Sequence, residues 1–242
     1  MNNLALNPIV LPADGTPQRR HIVPAKYRLE GYDDTYDFRT LAYDVIWIER
    51  QKALLFVCPK LLNLETVFKQ AKITASGETL SRHRIKRYRR HDEVWIACPM
   101  PPLDVTLDLQ EISLYAKVSR QTDVFNGKNV LMTKSKDNEL PWISDWLHHH
   151  VTDQSANAAL IFDNGSTQYP LSDLQQTMET VAGLDIAVSV ASDFPFGSWK
   201  ATKLLHRSMF YQTGMLRLRT HNQNMTVAAS AIAERKTVGD LS

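Results

Sequence analysis

The hydrophobic rhythm of this 242-residue chain changes once, near residue 125, and that change limits the fold more than any single motif. From about Asp37 to Val118 the apolar residues come in short runs: Tyr43–Ile48, Ala53–Val57, Val67–Thr74, Glu93–Ala97, Val105–Leu109 and Ile112–Val118. Several of these alternate with a period of two, which puts every second side chain on one face of an extended strand, and Pro, Gly and Asn punctuate them. Short strands at this spacing predict an antiparallel sheet or a small sandwich. After Gly127 longer units take over: Asn129–Thr133, Ala158–Phe162 and Asp185–Val190 are strand candidates, and helical patterns separate them. Strands that alternate with helices predict a parallel sheet. The expected fold class is therefore α/β. Residues 1–30, with Pro8, Pro12, Pro17 and Pro24, read as a loose polar arm; 31–125 as a β-rich, sandwich-like domain; and 126–242 as a partial, Rossmann-like parallel sheet.

Helix limits in the second half come from their end signals. Asn138 can cap a helix whose first turn tolerates Pro141, and Leu140, Ile143, Leu147 and Val151 mark one apolar face. Ser172 and Gln175 have capping-box spacing, so a helix should run from there to about Ala182, with Gly183 ending it. Trp199–Gly214 reads as a third helix. From Leu216 onward there is no strand-helix unit of normal length, and only Met225–Ala233 is apolar.

Composition narrows the function classes. At 43% hydrophobic and 22% charged residues the chain is globular rather than disordered. With 28 basic against 26 acidic residues and a net charge of +2, no global field points to nucleic acid. No apolar run approaches the roughly 18 residues of a spanning helix, and Met1–Val10 lacks the pattern of a secretory leader, so a cytoplasmic location is expected. Two cysteines, Cys58 and Cys98, are too few for a disulfide framework or a zinc site. They read as two buried free thiols, or as one bridge between two strand ends of similar form.

The candidate site begins at Asp163. It closes the apolar run Ala158–Phe162 and opens the polar turn Asn164-Gly165-Ser166-Thr167. A carboxylate at the carboxyl end of a parallel strand can accept hydrogen bonds from a ribose hydroxyl or a base N–H. Gly165 lets the backbone approach a ligand, and Ser166 and Thr167 add hydroxyls. The plainer reading is a strand-to-helix turn in which Asp163 and Asn164 cap backbone amides.

Upstream lies Lys136-Asp137-Asn138-Glu139, followed by Trp142-Ile143-Ser144-Asp145-Trp146-Leu147-His148-His149-His150. Together with Ile161-Phe162-Asp163-Asn164-Gly165-Ser166-Thr167, this stretch resembles the opening of a GT-A glycosyltransferase, most closely the family 2-like group and the related family 92 (DUF23) proteins. In that family a first strand leads to an Asn-Glu helix carrying W-x-x-H-H, and a second strand ends in Y-D-N-x-S. The resemblance covers roughly residues 128–215 and includes Ser198-Trp199-Lys200 and Gln212-Thr213-Gly214. It implies a nucleotide-sugar donor, usually a UDP-sugar, and a glycan acceptor. Asp163 would hold the nucleoside, Glu139 would lie close by, and Asn164 and Ser166 belong to the same turn. It also implies a divalent metal, Mn²⁺ or Mg²⁺, held by an Asp-x-Asp motif. This chain departs from the family there. No Asp-x-Asp or Asp-x-Glu follows Asp163, the acidic residues from Asp193 onward are Asp193, Glu234 and Asp240, and no catalytic base can be assigned. The metal ligands cannot be identified, and the expectation is a truncated chain that holds a nucleotide-sugar without transferring the sugar.

Three further features carry rival readings. His148-His149-His150 cannot converge on one ion, because consecutive helix residues point about 100° apart; histidines at a helix end suit the dipole there. Trp142 and Trp146 are core residues or an acceptor-stacking platform. Residues 82–90 hold six basic side chains, and segment 82–91 is either an anionic-glycan or RNA surface of a non-enzymatic module, with Tyr88 available for stacking, or a solvated loop or hairpin.

Overall fold

The computed structural model describes residues 4–14, 17–81, 83–89, 91–109, 111–120, 123–194 and 227–229. They fall into two compact units, one built on 6–120 and one on 121–193 with 227–229. The helix expected over Trp199–Gly214, most of Met225–Ala233, and Arg82 and Arg90 lie outside the described residues. Among those residues no helix is long and apolar enough to cross a membrane.

The first unit is antiparallel. Its strands are β1 (Ile9–Val10), β2 (Thr40–Ala42), β3 (Asp44–Ile48), β4 (Ala53–Pro59), β5 (Lys72–Ala75), β6 (Glu78–Leu80), β7 (His83–Arg87), β8 (His91–Ala97), β9 (Asp104–Leu109) and β10 (Ile112–Lys117), with one short helix, α1 (Glu65–Gln70). They form two four-stranded sheets, β3-β4-β8-β7 and β10-β9-β5-β6, and a two-stranded pair, β1-β2. The period of two explains the core. Leu54 and Phe56 stand opposite Ile96 and Val94 in the register, so their side chains share one face. With Val45 and Trp47 they meet Ile73, Val105, Leu107 and Leu114 of the other sheet in one apolar cluster. Cys58 and Cys98 are both buried and free, without a bridge.

Two expectations change here. The N-terminal stretch is packed rather than loose. Ile9 and Leu11 are each 1% exposed, and β1 pairs with β2. Arg19 is buried as well: its guanidinium donates to the carbonyls of Asp37 and Thr40 and lies 3.5 Å from the Asp37 carboxylate. Three consecutive apolar residues and an arginine whose two terminal nitrogens find internal acceptors outweigh the prolines, which sit just outside the short strand. The run Val67–Thr74 is also split. Its first part belongs to α1, because Glu65 and Lys69 pair across one helical turn at 2.7 Å while Val67 and Phe68 are buried, and only Lys72–Ala75 is extended.

The second unit is the parallel sheet. β11 (Val130–Ser135), α2 (Leu140–Gln154), β12 (Ala158–Asp163), α3 (Leu171–Glu179), β13 (Ile186–Ala191) and β14 (Val227–Ala229) follow in chain order. The strand order is β13-β12-β11-β14, every pair parallel. Leu131, Ala159 and Ile161 point to one face and pack on Ile143 and Leu147 of α2 and Leu174 and Met178 of α3. The register sets Ser135, Asp163 and Ala191 side by side at the carboxyl edge. The chain adds β12 and β13 on one side of β11 and returns to add β14 on the other, so the direction of strand addition reverses at β11.

The helix starts differ from the sequence reading. Glu139, not Asn138, is the residue before the first turn of α2, and the Asn138 amide donates to Ser135 Oγ at 2.9 Å. Pro170 precedes α3, and the Ser172–Gln175 box does not form. Gln175 reaches β13 instead: its amide donates to the Ala187 carbonyl at 2.9 Å and its oxygen accepts the Ser189 N–H at 2.7 Å. A half-buried glutamine that can serve the backbone of the edge strand gains more there than at a solvated helix end.

Candidate functional site

The carboxyl edge of the parallel sheet carries two loops, one after β11 and one after β12, and hydrogen bonds fasten them together. Asp137 adopts φ 51°, a left-handed conformation, and its carboxylate accepts the backbone N–H of Thr167 at 2.6 Å and of Gln168 at 3.1 Å. These two bonds hold the Asp137 carboxyl below its usual range. In return the Asp137 N–H donates to Ser166 Oγ at 2.8 Å.

Asp163 lies beneath this clasp and is 6% exposed. Its carboxylate accepts the Ser166 N–H at 3.0 Å and the Ser166 hydroxyl. Its carbonyl accepts the Ser192 N–H and hydroxyl at 2.8 and 3.0 Å, which ties the end of β13 into the same edge. Asn164 donates its backbone N–H to the Ser135 carbonyl at 2.8 Å and its side-chain amide to the Ser192 carbonyl at 2.7 Å. Gly165 has φ 69°, a left-handed conformation that strains any side chain, although a Cβ built there would meet only Asp193 Oδ1, in ordinary contact at 3.4 Å.

The four residues singled out in the sequence thus take different places. Asp163, Asn164 and Ser166 stand in one turn, where Asp163 accepts a backbone amide as the plainer reading expects, whereas Asn164 donates to carbonyls instead of capping an amide. Glu139 stands apart as an exposed carboxylate at the mouth of the edge, with no cap bond to α2. Sequence reasoning gave no role to Asp137 or Ser192, yet these bind the loops. The signal for Asp137 was available: a short polar residue directly after a strand, in the tight link to a helix, favours side-chain bonds to nearby amides.

The other motifs resolve locally. His149 pairs with Asp153 at 2.6 Å, and His150 Nδ1 bonds the Trp146 carbonyl at 2.9 Å. The histidine run therefore serves the end of α2. Trp146 packs on the core, but Trp142 is 64% exposed. The described part of segment 82–91 joins a hairpin: β7 is the outer strand of its sheet and pairs with β8, and Tyr88 N–H donates to the His91 carbonyl at 3.0 Å. Acidic partners face it. Arg87 pairs with Glu65 at 2.6 Å, Lys60 pairs with Asp92, and Lys86 lies 4.6 Å over the Trp95 ring. Glu93 is buried among them. Burial pushes its carboxyl up, but the bonds from His91 and Trp95 prevail and hold it below its usual range. Among the described residues no group of three or more His, Cys, Asp or Glu side chains is placed to hold a metal ion.

No protein-family model matches the chain, and no curated protein sequence matches it.

Proposed function

We propose that the parallel-sheet unit binds the nucleotide of a nucleotide-sugar, with a UDP-sugar as the first candidate, in a GT-A-like glycosyltransferase that works on a glycan or polysaccharide acceptor in the cytoplasm. One observation carries the reading: the loops after β11 and β12 are clasped at the carboxyl edge of an open parallel sheet, where such sheets bind nucleotides. Resemblance to GT-A openings over Asn138-Glu139 and Asp163-Asn164-Gly165-Ser166 points the same way. The roles divide by exposure. Glu139 can accept hydrogen bonds from ribose hydroxyls. Asp163, Asn164 and Ser166 are positioning residues that fix the loop beside it. Donor binding alone is proposed.

Calorimetric titration of the full chain with UDP, with and without Mn²⁺, tests this. Saturable UDP binding is expected, several-fold weaker in Glu139→Gln and in Ser166→Ala. A folded sample that binds no UDP under either condition overturns the proposal.

A further inference from the structure

The sheet β3-β4-β8-β7 treats its two edges differently. β3 is covered: Trp47 N–H donates to the Ser119 carbonyl and Ser119 N–H to the Val45 carbonyl, both at 2.9 Å. β7 ends the sheet with no strand beyond it. The hairpin tip sets which way its backbone groups point. Paired residues of an antiparallel ladder alternate between those that exchange both bonds and those that exchange none. Tyr88 N–H donates to the His91 carbonyl, so Lys86–Glu93 and Arg84–Trp95 are the bonded pairs along the register. The N–H and C=O groups of His83, Ile85 and Arg87 therefore point away from β8. No proline interrupts the strand over His83–Arg87, and its register with β8 is unbroken.

The side chains along this edge carry one sign. Arg84 and Lys86 stand on one face, opposite Trp95 and Glu93. Ile85 stands on the other, half-buried against the apolar core. His83, Arg84, Arg87 and Arg89 are exposed, and among the described residues only Arg87 of these four meets a carboxylate, that of Glu65. A second copy of the same edge would bring like charges strand to strand, which is destabilising. A nucleic acid would use the cations but leave the outward N–H and C=O groups and Ile85 without a complement. An extended acidic peptide complements all three. We propose that β7 receives an acidic segment of a partner protein as an added β-strand, with carboxylates beside Arg84 and Lys86 and an apolar side chain beside Ile85. About five residues of extended chain span the outward groups. The cations that keep copies of this edge apart are the ones that select an acidic strand. The nucleotide reading is not needed for this: every residue involved lies in the antiparallel unit.

Fluorescence anisotropy of a labelled peptide of alternating glutamate and valine, titrated with the full chain, tests this. Saturable binding is expected, and a lysine–valine counterpart should not bind. Methylating the backbone nitrogens of the valines, or those of the glutamates, blocks one edge of the peptide and leaves its charge unchanged. The peptide blocked on the edge that meets β7 should bind roughly tenfold or more weakly, and the other nearly as well as the parent. Ile85→Pro removes an outward N–H without touching the ladder to β8 and should weaken the parent peptide to a similar degree. Arg84→Glu with Arg89→Glu should weaken it on a strand whose backbone is unchanged. Equal binding of both methylated peptides overturns the proposal, because charge alone would then suffice. Tighter binding of an oligouridylate that Ile85→Pro leaves unchanged overturns it in favour of a nucleic-acid surface. A folded chain that does not bind the acidic peptide also overturns it and leaves the cations as guards of the edge.

Discussion

The bond between Asp163 and Ser166 can be isolated by a double-mutant cycle. Ser166 Oγ gives its proton to the Asp163 carboxylate and accepts the Asp137 N–H at 2.8 Å, so one hydroxyl links β12 to the loop after β11. Asp163 is 6% exposed, so solvent does little to replace what is lost. A hydrogen bond to a charged group contributes about 1.5–3 kcal/mol and one between neutral groups about 0.5–1.5 kcal/mol. Asp163→Ala strips two donors of a charged acceptor and should cost roughly 3–6 kcal/mol, while Ser166→Ala removes one charged and one neutral bond, about 2–4.5 kcal/mol. The double variant loses the shared bond only once. Its cost should therefore fall short of the sum by about 1.5–3 kcal/mol, well outside the 0.3–0.5 kcal/mol within which independent sites add. Urea unfolding followed by far-UV circular dichroism and tryptophan fluorescence gives the four free energies, provided the slopes agree. Additive losses, within about 0.5 kcal/mol, would refute the reasoning and make Asp163 a bystander to its own turn.

Two further outcomes follow from the packing and the titrations. Gly183 has φ 91°, and a Cβ there would stand 2.6 Å from Val151 Cγ1 of α2. Gly183→Ala should cost roughly 1–2 kcal/mol in backbone strain and 1–3 kcal/mol in crowding, read as a lowered Tm; an unchanged Tm would mean that the corner between α2 and β13 yields freely. Burial pushes the Tyr36 hydroxyl up to about 12, where it donates to the Arg20 carbonyl at 2.9 Å. A folded-state value above the unfolded one of about 10 means that this contribution is whole below pH ~10 and fades as pH rises toward 12. Stability measured across that window should fall, less steeply in Tyr36→Phe; equal slopes would show that the hydroxyl titrates as freely as in the unfolded chain.

The parts of the fold that repeat a period were legible, and the parts that depend on one partner were not. β9 and β10 announce themselves by alternation, and β4, β11, β12 and β13 by apolar runs, because burial on one face or two leaves a mark at every residue. By contrast, β1 is two residues long and gains its place from the strand it pairs with and from Arg19, whose acceptors lie on Asp37 and Thr40. Nothing local in Gln175 says that its amide serves β13 instead of its own helix end. The site divides in the same way. Asp163 and Glu139 could be picked out by type and place. The clasp from Asp137 to Thr167 and Gln168 depends on two loops brought together by the register of β11 and β12, which no single segment encodes.

The position of β11 also has a consequence for synthesis. It is a central strand whose two neighbours arrive at very different times. β12 leaves the ribosome soon after it, but Met132 finds its second partner only when Ala229 emerges. At about 5–20 residues per second the nascent chain spends on the order of ten seconds with one side of this central strand unpaired. During that interval the strand is an open template for another nascent chain or a chaperone, and the rate of elongation past residue 135 becomes a determinant of yield.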